Sequence, residues 1–184
     1  MIVAKVAVFL AATAGLAYVS RASVLASRSH GFYRFFAWEA ILALVLLNVN
    51  VWFHDPFSWN QILSWCLLLI SLFLVLHAAH LLRRIGRPDR QRTDPHLVGL
   101  ERTTALVTEG VYRYIRHPLY SSLLCLAWGV FFKAPGWIGG LLAVASTLLL
   151  VATARVEEAA DVRYFGPAYE AYRQRTKMFI PFLF

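Results

Sequence analysis

The sequence predicts an all-α integral membrane protein. Five transmembrane helices are expected, the fourth and fifth paired as a short helical hairpin, with a cytoplasmic amphipathic helix near the C-terminus. Three observations predict this fold. Hydrophobic residues make up 59% of the 184 and charged residues 15%, a balance too apolar for an ordinary soluble domain. The apolar residues gather into five runs separated by turn-forming or polar stretches. The basic residues fall almost wholly into alternate gaps between those runs. Strand-like alternation, internal repeats and low-complexity runs are absent from the sequence, and its length suits a single domain, 1–184.

Taken in order, residues 2–19 are nearly all apolar. A signal peptide would carry its basic residues ahead of the apolar run. Here only Lys5 precedes it, while Arg21, Arg28 and Arg34 follow, so the expectation is a retained helix. The second run, 35–53, ends at the turn signal His54-Asp55-Pro56, and the third covers 61–82. Residues 83–117 are polar and strongly basic. The fourth run, 119–132, is short against the roughly 20 residues of a perpendicular span. Lys133-Ala134-Pro135-Gly136 turns the chain into the fifth, 137–154.

Beyond it, residues 155–165 mix charges with Val156, Val162, Tyr164 and Phe165, as an interfacial or partly buried helix would. Gly166-Pro167 breaks that helix, and Pro167 suits the first turn of another reaching about residue 177. The last seven residues are apolar, too few to span, and are expected to dip into the interface or cover a cavity.

The charge pattern sets the orientation. With the N-terminus outside, the inside segments 20–34, 83–118 and 155–184 carry three, eight and five Lys or Arg, sixteen of the eighteen in the chain. Positive charge concentrates on the cytoplasmic side of membrane proteins, so the net +8 reports topology and lipid contact, not nucleic acid. The same count puts segment 106–120 and the C-terminal tail on one side, where the tail can fold back onto the loop.

Two groups of residues there could carry chemistry. Tyr112, Arg116, His117 and Tyr120 lie within nine residues. Arginine forks onto carboxylates and phosphates, and tyrosine faces hold cations. The bland alternative is a basic loop meeting anionic lipid, with tyrosines as an interfacial belt. Glu157-Glu158 is the second group. Acids are unfavourable at the C-terminal end of a helix unless the helix continues or a partner exists, so this pair is either a cation site or a solvated turn neutralised by Arg155 and Arg163. Together the groups suit a ligand bearing both an ammonium and a carboxylate.

Other candidates are weaker. His77 and His80 share a helix face at i, i+3, but no further ligands stand at a useful spacing, and no metal is expected. Glu39 lies one turn inside the second run, where an acid is a functional candidate by default. Cys66 and Cys125 sit in apolar runs as packing residues. The chain lacks both GxGxxG after a strand and GxxxxGK[ST], so a nucleotide-like ligand must bind between helices and loops.

The motifs, taken in order, carry a resemblance. They are Leu106-Val107-Thr108-Glu109-Gly110-Val111-Tyr112, then Arg116-His117-Pro118-Leu119-Tyr120, Glu157-Glu158, Phe165-Gly166 with Tyr169 and Tyr172, and Ile180-Pro181. In order and spacing this set resembles the isoprenylcysteine carboxyl methyltransferase and phospholipid methyltransferase superfamily of membrane enzymes, over roughly residues 76–181. Val111 stands where that family has Pro, Ser122 where Gly often stands, and Asp161 where Leu is usual.

The resemblance implies an S-adenosyl-L-methionine-dependent methyltransferase acting on a lipophilic acceptor, isoprenylcysteine-carboxylate-like or phospholipid-like. It divides the chain into lipid-embedded helices, 1–75, and a cofactor-binding part, 76–184, with the cofactor site facing the cytosol. Carried over by position, it implies that Tyr112, His117, Pro118, Tyr120, Glu157 and Glu158 form the cofactor pocket; charge then places a Glu near the cofactor's ammonium and His117 or Arg116 near its carboxylate, with Arg116 and Glu157 the catalytic candidates. Two rival readings remain at this point: an NADPH-dependent, sterol-reductase-like membrane enzyme, and a non-enzymatic scaffold or transporter with a basic lipid-binding loop.

Overall fold

The computed structural model describes residues 2–21, 29–87 and 103–183. Each apolar run forms a helix, because hydrocarbon leaves backbone N–H and C=O groups no partner but each other. The helices are α1 (Ile2–Val19), α2 (His30–Asn48, continued by a 3-10 turn at Val49–Val51), α3 (Trp59–Arg84), α4 (Pro118–Phe131), α5 (Trp137–Phe165) and α6 (Pro167–Arg175). Among the described residues no strand is present; an isolated parallel bridge joins Ile115 and Lys177.

Four helices, α1, α2 with its 3-10 turn, α3 and α5, are long and apolar enough to cross a membrane. The chain is a multi-pass membrane protein. The fourth apolar run differs from the expectation of five spans. With 14 residues, α4 is about 21 Å long, short of a hydrocarbon core of roughly 30 Å.

Two helix ends also differ from the apolar runs, for local reasons. Ser29 accepts a hydrogen bond from the Phe32 N–H at 3.0 Å, an N-cap that starts α2 five residues before the apolar run. At the other extreme, α5 does not stop at residue 154 but runs for 29 residues. Residues 155–165 hold Arg, Glu and Ala, which favour helix, and nothing breaks them until Gly166, whose φ is +59°.

The two largest helix pairs are antiparallel, while α2 and α4 run side by side in the same direction, Ala37 beside Tyr120 and Asn48 donating to the Val130 carbonyl at 2.9 Å. α2 lies along α5, and α3 along α4, where the Ser71 hydroxyl donates to the Ser122 carbonyl at 2.7 Å. Small residues at the contacts let the backbones close up: Ala37, Ala127, Ala143 and Ala154 are all fully buried. α1 buries none of its residues and packs chiefly on α2. Its polar tie is Thr13, which donates to Glu39 at 2.7 Å. Glu39 therefore fastens α1 to α2 within the membrane.

The end of the bundle remote from the motifs is closed by Lys133. Its side chain is buried, with Nζ donating to Gln61 at 2.9 Å and lying 3.6 Å from the Trp65 ring centroid and 5.4 Å from that of Trp52. Gln61 in turn donates to the Lys133 and Val51 carbonyls. The α4–α5 turn is thus tied to α2 and α3.

Candidate active site

At the opposite end, the motif segment is held from three directions. Gly110 has φ +57°, a conformation that costs other residues energy. A Cβ there would also meet His77 Nε2 and Leu81 Cδ1 at 2.7 Å. This close approach seats the 3-10 turn Gly110–Arg113 on α3 and buries Tyr112 with Leu81, Leu82 and Val107.

The C-terminal tail holds the next stretch. The Arg116 and His117 N–H groups donate to the Lys177 and Met178 carbonyls at 2.8 and 3.1 Å, and the Lys177 N–H donates back to Tyr114 at 3.0 Å. Pro118 then opens α4, where its missing N–H costs nothing. The tail does fold back onto the loop.

The two glutamates meet the loop from α5. Arg116 Nε donates to Glu158 Oε1 at 2.5 Å, and its Nη1 donates to the carbonyls of Arg173 (3.2 Å) and Thr176. His117 lies between the adjacent acids, with Nε2 3.3 Å from Glu158 and Nδ1 3.9 Å from Glu157. Its ring stacks on Tyr120, centroids 5.5 Å apart. From α6, the Tyr172 hydroxyl donates to the Tyr112 carbonyl at 2.7 Å.

Burial pushes the phenols of Tyr169 and Tyr172 well above their usual range. At Tyr169 the carboxylates of Asp161, Glu158 and Glu157 add to that effect. Both tyrosines are neutral donors at physiological pH.

These elements enclose a cavity of about 80 Å³. Tyr112, Arg116, His117, Pro118, Tyr120 and Glu157, all expected from the sequence, line it. Glu158 does not. It is buried behind the wall, where it holds Arg116 and His117. The wall also takes Asp161, Phe165, Tyr169 and Tyr172, none of which was given a site role. Asp161 could have been found, because it lies one helical turn from Glu157 on the same face of α5. Among the described residues no three His, Cys, Asp or Glu could hold a metal ion, and His77 stacks on Phe73 at 5.5 Å.

A second cavity, about 720 Å³ and almost wholly apolar, lies on the other side of the loop. Ile70, Phe73 and Leu74 of α3, Leu124, Cys125 and Trp128 of α4, Val151 of α5 and the tail residues Phe179 to Pro181 line it. The chain thus sets a small charged cavity beside a large apolar one in a helical membrane scaffold, an arrangement for ligands of opposite polarity.

Comparison with known proteins defines the class further. A family model described as phospholipid methyltransferase matches residues 59–168, from the start of α3 to the start of α6. The chain belongs to this phospholipid methyltransferase family. Relatives include methanethiol S-methyltransferase 1 of Bradyrhizobium diazoefficiens, 29% identical over 64% of this chain and 39% of that protein. The methanethiol S-methyltransferase of Pseudomonas deceptionensis is 27% identical over 87% of this chain and 58% of its own length. The protein-S-isoprenylcysteine O-methyltransferase of Schizosaccharomyces pombe is 34% identical over 48% and 39%. The chain spans between about two fifths and three fifths of the length of these relatives. No solved structure matches it.

Proposed function

We infer that the protein is an S-adenosyl-L-methionine-dependent methyltransferase whose acceptor is lipophilic and reaches the site from the bilayer. The observation that carries this reading is the pair of cavities of opposite polarity, set back to back across the Arg116-His117-Pro118 segment. The methyltransferase names of the relatives support the reaction class.

The residues present suit the cofactor. The carboxylates of Glu157 and Asp161 offer partners for its ammonium, and His117, with the Arg116 charge behind it, offers one for its carboxylate. The faces of Tyr112, Tyr120 and Tyr169 suit its sulfonium. A volume of about 80 Å³ matches an amino-acid head group. When bound, S-adenosyl-L-methionine supplies the methyl group on a positively charged sulfur. An acceptor lone pair would take that methyl while the electron pair of the broken carbon–sulfur bond stayed on sulfur.

Such a displacement needs alignment more than acid–base help. Arg116, held by Glu158 and two carbonyls, fixes the loop that carries His117, and the apolar cavity holds the acceptor's tail. The cofactor side faces the cytosol in this reading, with the N-terminus outside. The bias of basic residues supports that orientation.

Thermal unfolding of the purified protein with S-adenosylhomocysteine and, separately, with NADPH tests the reading. A ligand that binds only the native state raises the melting temperature. The expected result is a rise with S-adenosylhomocysteine alone, lost in Glu157→Ala and His117→Ala. A rise with NADPH alone would overturn it.

A further inference from the structure

The geometry points to Phe179 as the partition between the two cavities and therefore as a residue that selects the acceptor. This rests on the methyltransferase reading and adds to it the place where the acceptor's reactive head meets the cofactor side.

The two cavities share the loop as a common wall. Along the loop, Tyr114 and Ile115 line the apolar cavity, Arg116 to Tyr120 the charged one, and Ser121 the apolar one again. The tail completes the wall at Phe179. Its ring faces the apolar cavity on one side and lies 6.1 Å from the His117 ring on the other. It is 3% exposed and packs in one cluster with Tyr120, Leu150 and Ala154.

Its backbone is fixed as well. The Ser121 hydroxyl donates to the Phe179 carbonyl at 2.9 Å, and the neighbouring Met178 carbonyl accepts from the His117 N–H. The single Ser121 hydroxyl proton is shared with the His117 carbonyl, 3.1 Å away. The main chain of the wall is therefore held through Met178 and through Ser121, and the Phe179 ring fills the space between them and the apolar cavity.

Methyl transfer requires the acceptor atom to approach within about 3–3.5 Å of the methyl carbon. An acceptor whose tail lies in the apolar cavity reaches the charged one only across this wall. The space beside the Phe179 ring then limits how bulky the head group can be, while the cavity behind it accommodates the tail.

Two measurements test this, one of them independent of turnover. The first uses Cys66→Ala protein, in which Cys125, on the apolar side, is the remaining thiol. A negatively charged, membrane-impermeant maleimide should label Cys125 roughly tenfold faster in Phe179→Leu, which removes three side-chain carbons from the wall, than in the parent. S-adenosylhomocysteine should suppress that gain by filling the charged cavity. Equal labelling rates in parent and variant would overturn the partition.

The second compares methyl transfer to N-acetyl-S-farnesylcysteine, whose head is bulky, with transfer to the slim-headed farnesyl thiol. Phe179→Leu should shift the kcat/KM ratio about tenfold towards the bulky head, and Phe179→Trp should shift it the other way. Both variants should keep S-adenosylhomocysteine affinity within about twofold. Parallel losses for both acceptors, with weakened S-adenosylhomocysteine binding, would make Phe179 a packing residue only. If the parent protein neither binds S-adenosylhomocysteine nor methylates either acceptor, the methyltransferase reading fails, a result distinct from a failed partition.

Discussion

Arg116 and His117 are adjacent, yet the same glutamate uses them differently. Arg116 gives its Nε to Glu158 and its Nη1 to two carbonyls, so its charge is spent on holding the loop to α5 and the tail. His117 reaches both Glu158 and Glu157 and faces the cavity. Glu158→Ala removes the partner of a buried cation, a change that costs about 3–5 kcal/mol. Urea unfolding in detergent should show that loss, and a clearly smaller one for Glu157→Ala, whose effect falls instead on S-adenosylhomocysteine binding. Equal destabilisation by the two would remove the distinction. The buried phenols give a pH test. Folding raises the values of Tyr169 and Tyr172 above the usual 10.0. Their stabilisation is therefore complete below pH 10 and is lost as pH climbs towards the folded values, because the unfolded chain releases protons that the folded one retains. Tyr172→Phe should flatten the fall in stability above pH 10, while losing the hydrogen bond to Tyr112, worth about 1 kcal/mol.

Two glycines at element boundaries carry different constraints. Gly166, between α5 and α6, has φ +59° and ψ −136°, and an added Cβ meets nothing within 4 Å. Gly166→Ala should therefore cost only backbone strain, about 1–3 kcal/mol. Gly110 carries a similar φ and also a contact of 2.7 Å to His77 and Leu81. Its replacement by Ala should destabilise more, and it should loosen the seating of Tyr112 on α3. Adding His77→Ala to Gly110→Ala should recover part of that loss relative to the sum of the single changes, a coupling measurable in a double-mutant cycle. Strict additivity would place the cost of Gly110→Ala in the backbone alone. The glycine in the motif was legible in the sequence. Its reason was not, because the helix it approaches lies some thirty residues earlier in the chain.

Across the whole molecule, legibility followed the strength of the constraint. Hydrocarbon forces helices, so the apolar runs mapped onto α1 to α5, whereas their ends were set by the Ser29 cap and the Gly166 break, which apolar content does not report. The charged side chains of the site stood out as Arg116-His117 and Glu157-Glu158. The charge count also put the tail on the loop's side, where it was expected to fold back, but the points of attachment were not legible, because they run through main-chain hydrogen bonds to Lys177 and Met178 that leave no side-chain signature. Asp161 was noted as a departure from the family pattern, although its place one turn from Glu157 could have marked it, and Phe179 stood as one more apolar residue in a short run. The orientation of the molecule rests on charge bias and has its own test. The site end carries the exposed Lys177, and the remote end carries Phe57, 90% exposed. In a background with Cys66 and Cys125 replaced by alanine, cysteine at residue 57 should react with a membrane-impermeant maleimide on intact cells, and cysteine at residue 177 only after permeabilisation. The positive-inside rule demands that order, because basic residues resist transfer across the membrane. The reverse order would turn the charged cavity away from the cytosol and contradict the proposed route of the cofactor.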